Sequence, residues 1–197
     1  MVFFQQIEVG PMQNFNYIIA DESSHEALIV DPAFEEGRLL DILKKKKFRL
    51  VGVLLTHTHM DHIEALGRVL SKGGIPVYVH EAEKEEIKEI ASDVRLVKDK
   101  DKIQIGEVTI IAHHTPGHTK GGITYEVDRK LLTGDALFVE GCGRTDLPGG
   151  NMATLKNSLR KIASFPDDYE IYPGHDYGSI KSSTVKHEKK NNPFLKF

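Results

Sequence analysis

The chain has 197 residues, of which 40% are hydrophobic and 28% are charged, and its formal net charge at pH 7 is -3. This composition predicts one globular domain over residues 1–197 and excludes any overall charge that would favour nucleic acid or an anionic membrane. A single cysteine, Cys142, excludes an internal disulfide, and the absence of a signal peptide pattern or a long apolar run predicts a cytoplasmic protein.

The first half of the chain alternates predicted strands with predicted helices. Short runs rich in aromatic and β-branched residues, separated by turn residues, predict strands at 2–9, 15–20 and 27–31. An amphipathic pattern predicts a helix from Glu35 to Lys47, and the apolar run at 49–56 predicts a buried strand. The remaining elements of this half are predicted to be a helix from Ile63 to Lys72, a strand at 76–80 and a charged helix from Glu81 to Ile90.

The second half is predicted to be richer in strands. Two hairpins are expected, one over 102–112 that turns at Gly106-Glu107 and one over 122–133 that turns at Asp128-Arg129. A helix from Met152 to Ala163 and a strand at 169–173 follow. Because strands flank helices in both halves, we predict an α/β protein of two mixed sheets packed face to face with helices outside, one sheet for each half.

A cluster of ionisable residues, T-H-T-H-M-D-H, follows the buried strand at 49–56. Four such groups buried together would carry a large desolvation cost, which a divalent cation removes because imidazole and carboxylate are good ligands for zinc or iron. His57 and His59 are two residues apart, so an extended segment directs both to one side and allows them to share an ion. Asp61 and His62 come where the chain enters a helix and are predicted to reach a second ion.

Further candidate ligands stand at the ends of other predicted strands. They are His118 in H-H-T-P-G-H-T, Asp135 in L-L-T-G-D-A and His175 in I-Y-P-G-H-D-Y, each next to a glycine that allows a tight turn. Side chains at the ends of strands on one edge of a sheet can converge on one point. His113 and His114 are predicted to be surface residues or hydrogen-bonding neighbours of the site.

The four segments T-H-T-H-M-D-H, T-P-G-H-T, T-G-D-A-L-F and Y-P-G-H-D-Y, in this order and spacing, resemble the metallo-β-lactamase superfamily. The resemblance implies a four-layer αβ/βα sandwich with two divalent cations at the edge of the sheets. Zinc is the expected metal, and iron or a mixed pair is the alternative. The ligands implied for one ion are His57, His59 and His118, those for the other are Asp61, His62 and His175, and Asp135 bridges them.

A pair of cations activates water as a nucleophile near neutral pH and polarises the carbonyl under attack. Asp61 or Asp135 is expected to orient that water or to handle its proton. Within the superfamily the chain is similar to the glyoxalase II-like thioesterases and to the persulfide dioxygenases, through the segment G-C-G-R-T-D. The end of the chain at Phe197, without the helical domain that helps glyoxalase II to bind glutathione, argues against S-lactoylglutathione as the substrate.

Three functions follow from these observations. The first is a binuclear metal-dependent hydrolase of a small-molecule thioester or other thiol-derived substrate, with a hydroxyacylglutathione hydrolase-like reaction. The second is a mononuclear iron dioxygenase of a glutathione-type persulfide that uses His57, His118 and Asp135, a two-histidine, one-carboxylate set with open positions. The third is a metal-binding or redox-sensing protein without turnover, suggested by Cys142. The sequence is compatible with a homodimer.

Three residues near the predicted ligands are candidates for binding the substrate. Arg144 follows the bridging aspartate, and its guanidinium either pairs with a carboxylate of the substrate or fixes its own loop through Asp146. Tyr177 comes two residues after His175 and is expected either to pack or to donate a hydrogen bond to an oxyanion.

Overall fold

The structure, a computed structural model, describes residues 1–71 and 73–197. The strands are β1 (Val2–Val9), β2 (Asn14–Asp21), β3 (Glu26–Val30), β4 (Arg49–Leu54), β5 (Val77–His80), β6 (Val94–Val97), β7 (Lys102–Ile105), β8 (Val108–His114), β9 (Ile123–Val127), β10 (Lys130–Gly134), β11 (Leu137–Phe138), β12 (Gly141–Cys142), β13 (Glu170–Pro173) and β14 (Ser183–Thr184). The helices are α1 (Glu36–Lys46), α2 (Met60–Ile63), α3 (Leu66–Leu70), α4 (Lys84–Ile87), α5 (Met152–Ala163) and α6 (Val185–Asn191). Short 3-10 helices occupy Glu81–Glu83 and Pro193–Leu195.

Each half of the chain forms one mixed sheet. The first sheet has the order β1-β2-β3-β4-β5-β6, in which β1 to β3 pair antiparallel and β3 to β6 pair parallel. The second has the order β14-β13-β10-β9-β8-β7, in which β10 and β13 pair parallel and the other neighbours antiparallel. The predicted division into one mixed sheet for each half is confirmed.

Three apolar clusters separate four layers of structure. Alternate residues of β2 show how the layers divide, because successive side chains of a strand point to opposite faces. Ile18 packs with α1, α3 and α4 on the outer side of the first sheet, whereas Tyr17 and Ile19 pack in the cluster between the two sheets. The third cluster holds α5 and α6 on the second sheet. This arrangement is the predicted four-layer αβ/βα sandwich.

The second predicted hairpin turns where the sequence indicated. Lys130 pairs with Val127 across Asp128 and Arg129, and both turn residues have positive φ, 45° and 62°. Such a two-residue turn matches the right-handed twist of the strands that it joins. The first hairpin likewise pairs Ile105 with Val108 across Gly106-Glu107. Both predicted turns are confirmed.

The predicted helix from Ile63 to Lys72 is wrong as a continuous element. The chain forms α2 and α3 instead, because the backbone N–H of Ala65 donates to the carbonyls of Pro32 and Ala33, at 3.0 and 2.9 Å, and leaves the helical pattern. The predicted end at Lys72 lies outside the described residues. The charged helix predicted from Glu81 to Ile90 is also shorter, with a 3-10 turn before α4.

Within residues 1–71 and 73–197, no helix has both the length and the apolar composition that crossing a membrane requires.

Candidate metal centre

The seven predicted ligands lie together at one edge of the sandwich, although four different segments supply them. The segment after β4, including α2, carries His57, His59, Asp61 and His62. The loop between β8 and β9 carries His118, and the turns after β10 and β13 carry Asp135 and His175. The backbone N–H of Ile123 donates to the carbonyl of Thr56 at 2.8 Å, which joins the two sheets at this edge.

Two groups of three side chains stand side by side in the site. In the first, potential ligand atoms of His57, His59 and His118 all lie within 4.8 Å of one another. The Nε2 atom of His118 is 2.9 Å from Nδ1 of His59. His118 therefore offers Nε2 to this group, whereas His59 offers Nδ1.

The second group consists of Asp61, His62 and His175, and its ligand atoms also lie within 4.8 Å of one another. The Nε2 atoms of His62 and His175 are 3.1 Å apart, and Oδ2 of Asp61 is 3.3 Å from Nε2 of His175. Two ring nitrogens at such a distance need a proton or a cation between them, because their lone pairs repel.

The carboxylate of Asp135 contacts both groups. Its Oδ1 atom is 3.3 Å from Nε2 of His62, and its Oδ2 atom is 3.6 Å from Nε2 of His118 and 3.4 Å from Nε2 of His175. A carboxylate in this position is able to offer one oxygen to each group.

Hydrogen bonds outside the site fix the orientation of the imidazoles. The Nδ1 atom of His118 is 2.7 Å from the carbonyl of Arg144, and Nδ1 of His175 is 2.8 Å from the carbonyl of Met12. A carbonyl only accepts, so Nδ1 of each ring carries a proton and Nε2 faces the centre. Such outer acceptors select the tautomer of histidines that bind metals.

The carboxylate of Asp31 fixes two further rings. Its Oδ2 atom lies 3.2 Å from Nδ1 of His62 and accepts the hydroxyl proton of Thr56 at 2.6 Å. The hydroxyl oxygen of Thr56 is then free to accept from Nδ1 of His57, 3.0 Å away. A third group of potential ligand atoms, from Asp31, His57 and His62, also lies within 4.8 Å of one another, so its distances would allow it to bind an ion. We interpret them as a support for the two groups, because these hydrogen bonds already occupy Asp31.

Two buried polar atoms in the described part of the chain indicate what the site is built to hold. Nε2 of His57 and Oδ1 of Asp135 are buried and make no hydrogen bond with the protein. Buried polar atoms without partners are rare in folded proteins. A Cβ atom at Gly174 would collide with Oδ1 of Asp135, so glycine is required where the turn after β13 approaches this carboxylate. The nitrogen and oxygen donors fit divalent cations such as zinc or iron.

Burial and opposite charges shift the pKa values of the site in different directions. Burial lowers the pKa of His57 well below its usual value, and the nearby His62 lowers it further. Although burial opposes it, hydrogen bonds with Asp135 and Asp61 raise the pKa of His175 to about 9. Against burial, the ring of His62 holds the pKa of Asp135 well below the usual range. Without metal the site therefore places the ionised carboxylate of Asp135 beside a protonated His175, and a bound cation would replace the proton of that ring.

Of the three residues predicted to bind the substrate, Arg144 and Asp146 pair with each other, and Tyr177 contacts a predicted ligand. Arg144 donates to Asp146 through Nε and Nη2, at 2.7 and 2.6 Å, and both side chains are exposed. The guanidinium thus fixes its own loop, and a carboxylate of a substrate would have to compete with Asp146. Tyr177 stacks on His175 with the ring centres 4.5 Å apart and leaves 52% of its surface exposed.

Residues outside the predicted set hold the site together. Glu83 is buried and accepts hydrogen bonds from Thr58 and Gly121, and Asn14 donates to Asp61 at 2.9 Å. Of these residues and Asp31, which the sequence did not indicate, only Asp31 carries a recognisable signal, because it follows a buried strand as the predicted ligands do. Glu83 and Asn14 carry no such pattern.

His113 and His114, predicted to be surface residues or hydrogen-bonding neighbours of the site, belong to none of the ligand groups found in the described residues. His113 pairs with Glu126 at 2.7 Å, and Nε2 of His114 is 3.0 Å from the carbonyl of Lys120.

Comparison with known proteins relates the whole chain to one family. The family model described as the metallo-beta-lactamase superfamily matches residues 9–175. A protein of Bacillus subtilis named probable metallo-hydrolase YqgX is 34% identical over 212 residues, with 98% of this chain and 97% of that protein covered. The human protein named persulfide dioxygenase ETHE1, mitochondrial, is 36% identical over 187 residues, with coverage of 92% and 71%.

A solved structure shares the fold and holds metal. TTHA1623, crystallised in a di-iron-bound form, superposes with a TM-score of 0.83 at 26% identity and covers 97% of this chain and 100% of its own. The two irons are those of that protein, whereas the fold is similar in both proteins.

Proposed function

The chain belongs to the metallo-beta-lactamase superfamily, and we propose that it is a binuclear metal-dependent hydrolase of a small-molecule thioester. The observation that carries the proposal is the presence of two complete groups of ligand atoms with Asp135 between them. A hydrolase that uses two cations needs both groups, whereas a one-metal enzyme needs one. The proposal requires no nucleic acid, membrane or protein partner.

In this proposal His57, His59 and His118 hold one cation, Asp61, His62 and His175 hold the other, and Asp135 bridges them. Zinc is the metal that we propose. When bound, such a pair lowers the pKa of water and polarises a carbonyl oxygen.

The chain's own residues would orient the reaction. Asn14 donates to Oδ2 of Asp61 at 2.9 Å, and in the metal-free protein the hydrogen bond with His175 keeps the pKa of Asp61 below its usual value although burial opposes it. A carboxylate that binds a cation is ionised as well, so Asp61 would accept a hydrogen bond from the attacking water and orient it. Tyr177 remains protonated, because burial raises its pKa, and donates a hydrogen bond to the substrate at the mouth of the site.

A mononuclear iron persulfide dioxygenase is the second candidate, favoured by the 36% identity to the human protein of that name. It would use His57, His118 and Asp135. The outer hydrogen bonds argue for the first candidate. They orient His62 and His175 as well as His118. A reaction at one iron held by His57, His118 and Asp135 would not require His62 and His175 to be oriented.

The test is elemental analysis of protein purified without added metal, together with two assays on the same preparation. Two zinc ions and cleavage of a thioester are expected. One iron for each chain, with oxygen uptake that depends on a persulfide, would overturn the proposal in favour of the dioxygenase. Zinc without either activity would favour the binding protein.

A further inference from the structure

A cleft of about 560 Å³ opens beside the metal centre, next to Thr58 and His59. Its volume lies within the range of about 300–1,000 Å³ that is usual for pockets that bind small organic ligands. The walls come from α2, the 3-10 helix before α4, the turn after His118 and the segment 147–149. A group attached to a substrate at the metal centre would therefore extend directly into this cleft.

The walls of the cleft are largely apolar. The side chains that give it this character are Met60, Ile63, Ala82, Leu147 and Pro148. Met60 leaves 66% of its surface exposed although it follows a predicted ligand directly. Together with the other four side chains it forms a continuous apolar lining, which is typical of concave sites that bind small organic ligands.

The charged residues of the cleft are two carboxylates, those of Glu83 and Glu86, and the ammonium group of Lys120. The carboxylate of Glu83 is buried and already accepts from the hydroxyl of Thr58 at 2.5 Å and from the N–H of Gly121 at 2.8 Å. Glu86 and Lys120 are exposed and have opposite signs. A charged group placed against the apolar walls would lose hydration, which is costly. Its opposite-charge partner would be Glu86 or Lys120, and ion pairs with such exposed side chains contribute little, whereas an apolar group would gain contacts.

We infer that this cleft binds the acyl group of the substrate and that this group is a neutral, medium-length chain or an aryl group. The inference rests on the proposed thioester hydrolysis and specifies its substrate class. An acyl group of two or three carbons would leave most of the cleft unfilled. A thiol carrier, which in biological thioesters is polar or charged, fits the cleft less well than an acyl chain does.

The test uses acetyl, butanoyl, hexanoyl and octanoyl thioesters of one thiol carrier and the metal-loaded protein. We expect kcat/KM to rise along the series by up to about fourfold for each added methylene group, the effect of transferring that group from water. Ala82→Phe places an aromatic ring in the cleft and narrows it, and should lower the octanoyl-to-acetyl ratio of kcat/KM at least tenfold. Leu147→Ala removes part of one wall and should lower the same ratio by a smaller factor.

A matched control and a second series separate the outcomes. Lys84→Phe adds the same aromatic ring two residues away, at an exposed position outside the cleft, and should keep the ratio of the unaltered protein. Metal content and circular dichroism of each variant exclude a change in folding. In the second series the acyl group stays octanoyl and the thiol carrier changes.

Three results are decisive. A ratio that is flat along the acyl series, or that Ala82→Phe does not change, would overturn the inference while thioester hydrolysis stands. The inference would also be overturned if Ala82→Phe changed the relative kcat/KM values of the thiol carriers and left those of the acyl groups unchanged. Absence of cleavage for every thioester would reject the proposed function itself.

Discussion

The carboxylate of Asp31 holds Thr56 by two hydrogen bonds, 2.7 Å from the backbone nitrogen and 2.6 Å from the hydroxyl. Through the hydroxyl it orients His57, and through Oδ2 it contacts His62 directly at 3.2 Å. One buried carboxylate thereby orients a ring in each of the two groups of the metal centre. Its effect on the affinity for metal is open to direct measurement.

Asp31→Asn should lower the affinity for zinc about 10- to 100-fold, the usual cost of losing an outer partner of a metal-binding histidine. The amide replaces one acceptor by a donor, so either Thr56 or His62 loses its partner. Asp31 has a positive φ of 46°, and asparagine tolerates this conformation well, so the backbone should not change. Competition with a chromophoric chelator measures the affinity.

Asp128→Asn is the matched control for this experiment. Asp128 has nearly the same φ, 45°, but stands in an exposed turn away from the site. Equal affinities of the two variants would contradict the role of Asp31.

Asp135→Ala should abolish hydrolysis and lower the metal content, since this carboxylate contacts side chains of both groups. The loss of kcat/KM should exceed about 100-fold, the upper end of the effect of an outer partner. Metal analysis after dialysis and a thioester assay measure the two effects. Turnover near that of the unaltered protein would rule out the bridge.

Glu83→Ala should destabilise the metal-free protein by about 2–4 kcal/mol. Glu83 is 5% exposed, and its loss leaves the buried N–H groups of Thr58 and Gly121 without acceptors, at about 1–3 kcal/mol each. Urea denaturation of the metal-free protein measures the free energy of unfolding. Glu89→Ala, at an exposed position nearby, should change it by no more than about 0.5 kcal/mol. A similar small change for Glu83→Ala would contradict the assigned role.

The sequence predicted those parts of the fold that depend on local patterns. Both hairpin turns and the long helix α5 followed from turn residues and periodicity. The broken helix at 60–70 did not, because the N–H of Ala65 bonds to Pro32 and Ala33, which are distant in the sequence. Strand β6 was missed because Arg95 and Leu96 are exposed and its pattern is weak.

The site shows the same division between local and distant information. Ligands at strand ends could be found, since ionisable residues after a buried strand are unusual. The hydrogen bonds of Asn14 and Glu83 connect residues 47 and 25 positions apart, respectively, and no local pattern indicates them. The pairing of Arg144 with Asp146 was one of two alternatives, and the choice needed the geometry of the loop.

Uptake of zinc by the metal-free protein should release protons at pH 7. The pKa of His175 is raised to about 9, so its ring is protonated at pH 7 and must lose that proton to bind a cation. The apparent affinity should therefore increase as pH rises from 7 to about 9 and level off above that value. Calorimetry in buffers with different ionisation enthalpies counts the protons. Metal binding that is independent of pH over this range would contradict the prediction.

Cys142 should react slowly with thiol reagents at neutral pH, which argues against a redox-sensing function. Burial raises the pKa of its thiol to about 11, and the reactive form is the thiolate. Each unit of pH above 7 should increase the rate of alkylation about tenfold until the pH approaches that pKa. Mass spectrometry of samples quenched over time measures the rate, and the urea-unfolded protein, whose cysteine has an ordinary pKa near 8.5, serves as the reference. If the folded protein instead reacted at pH 7 as fast as the unfolded one, the thiol would be activated and the sensing function would regain support.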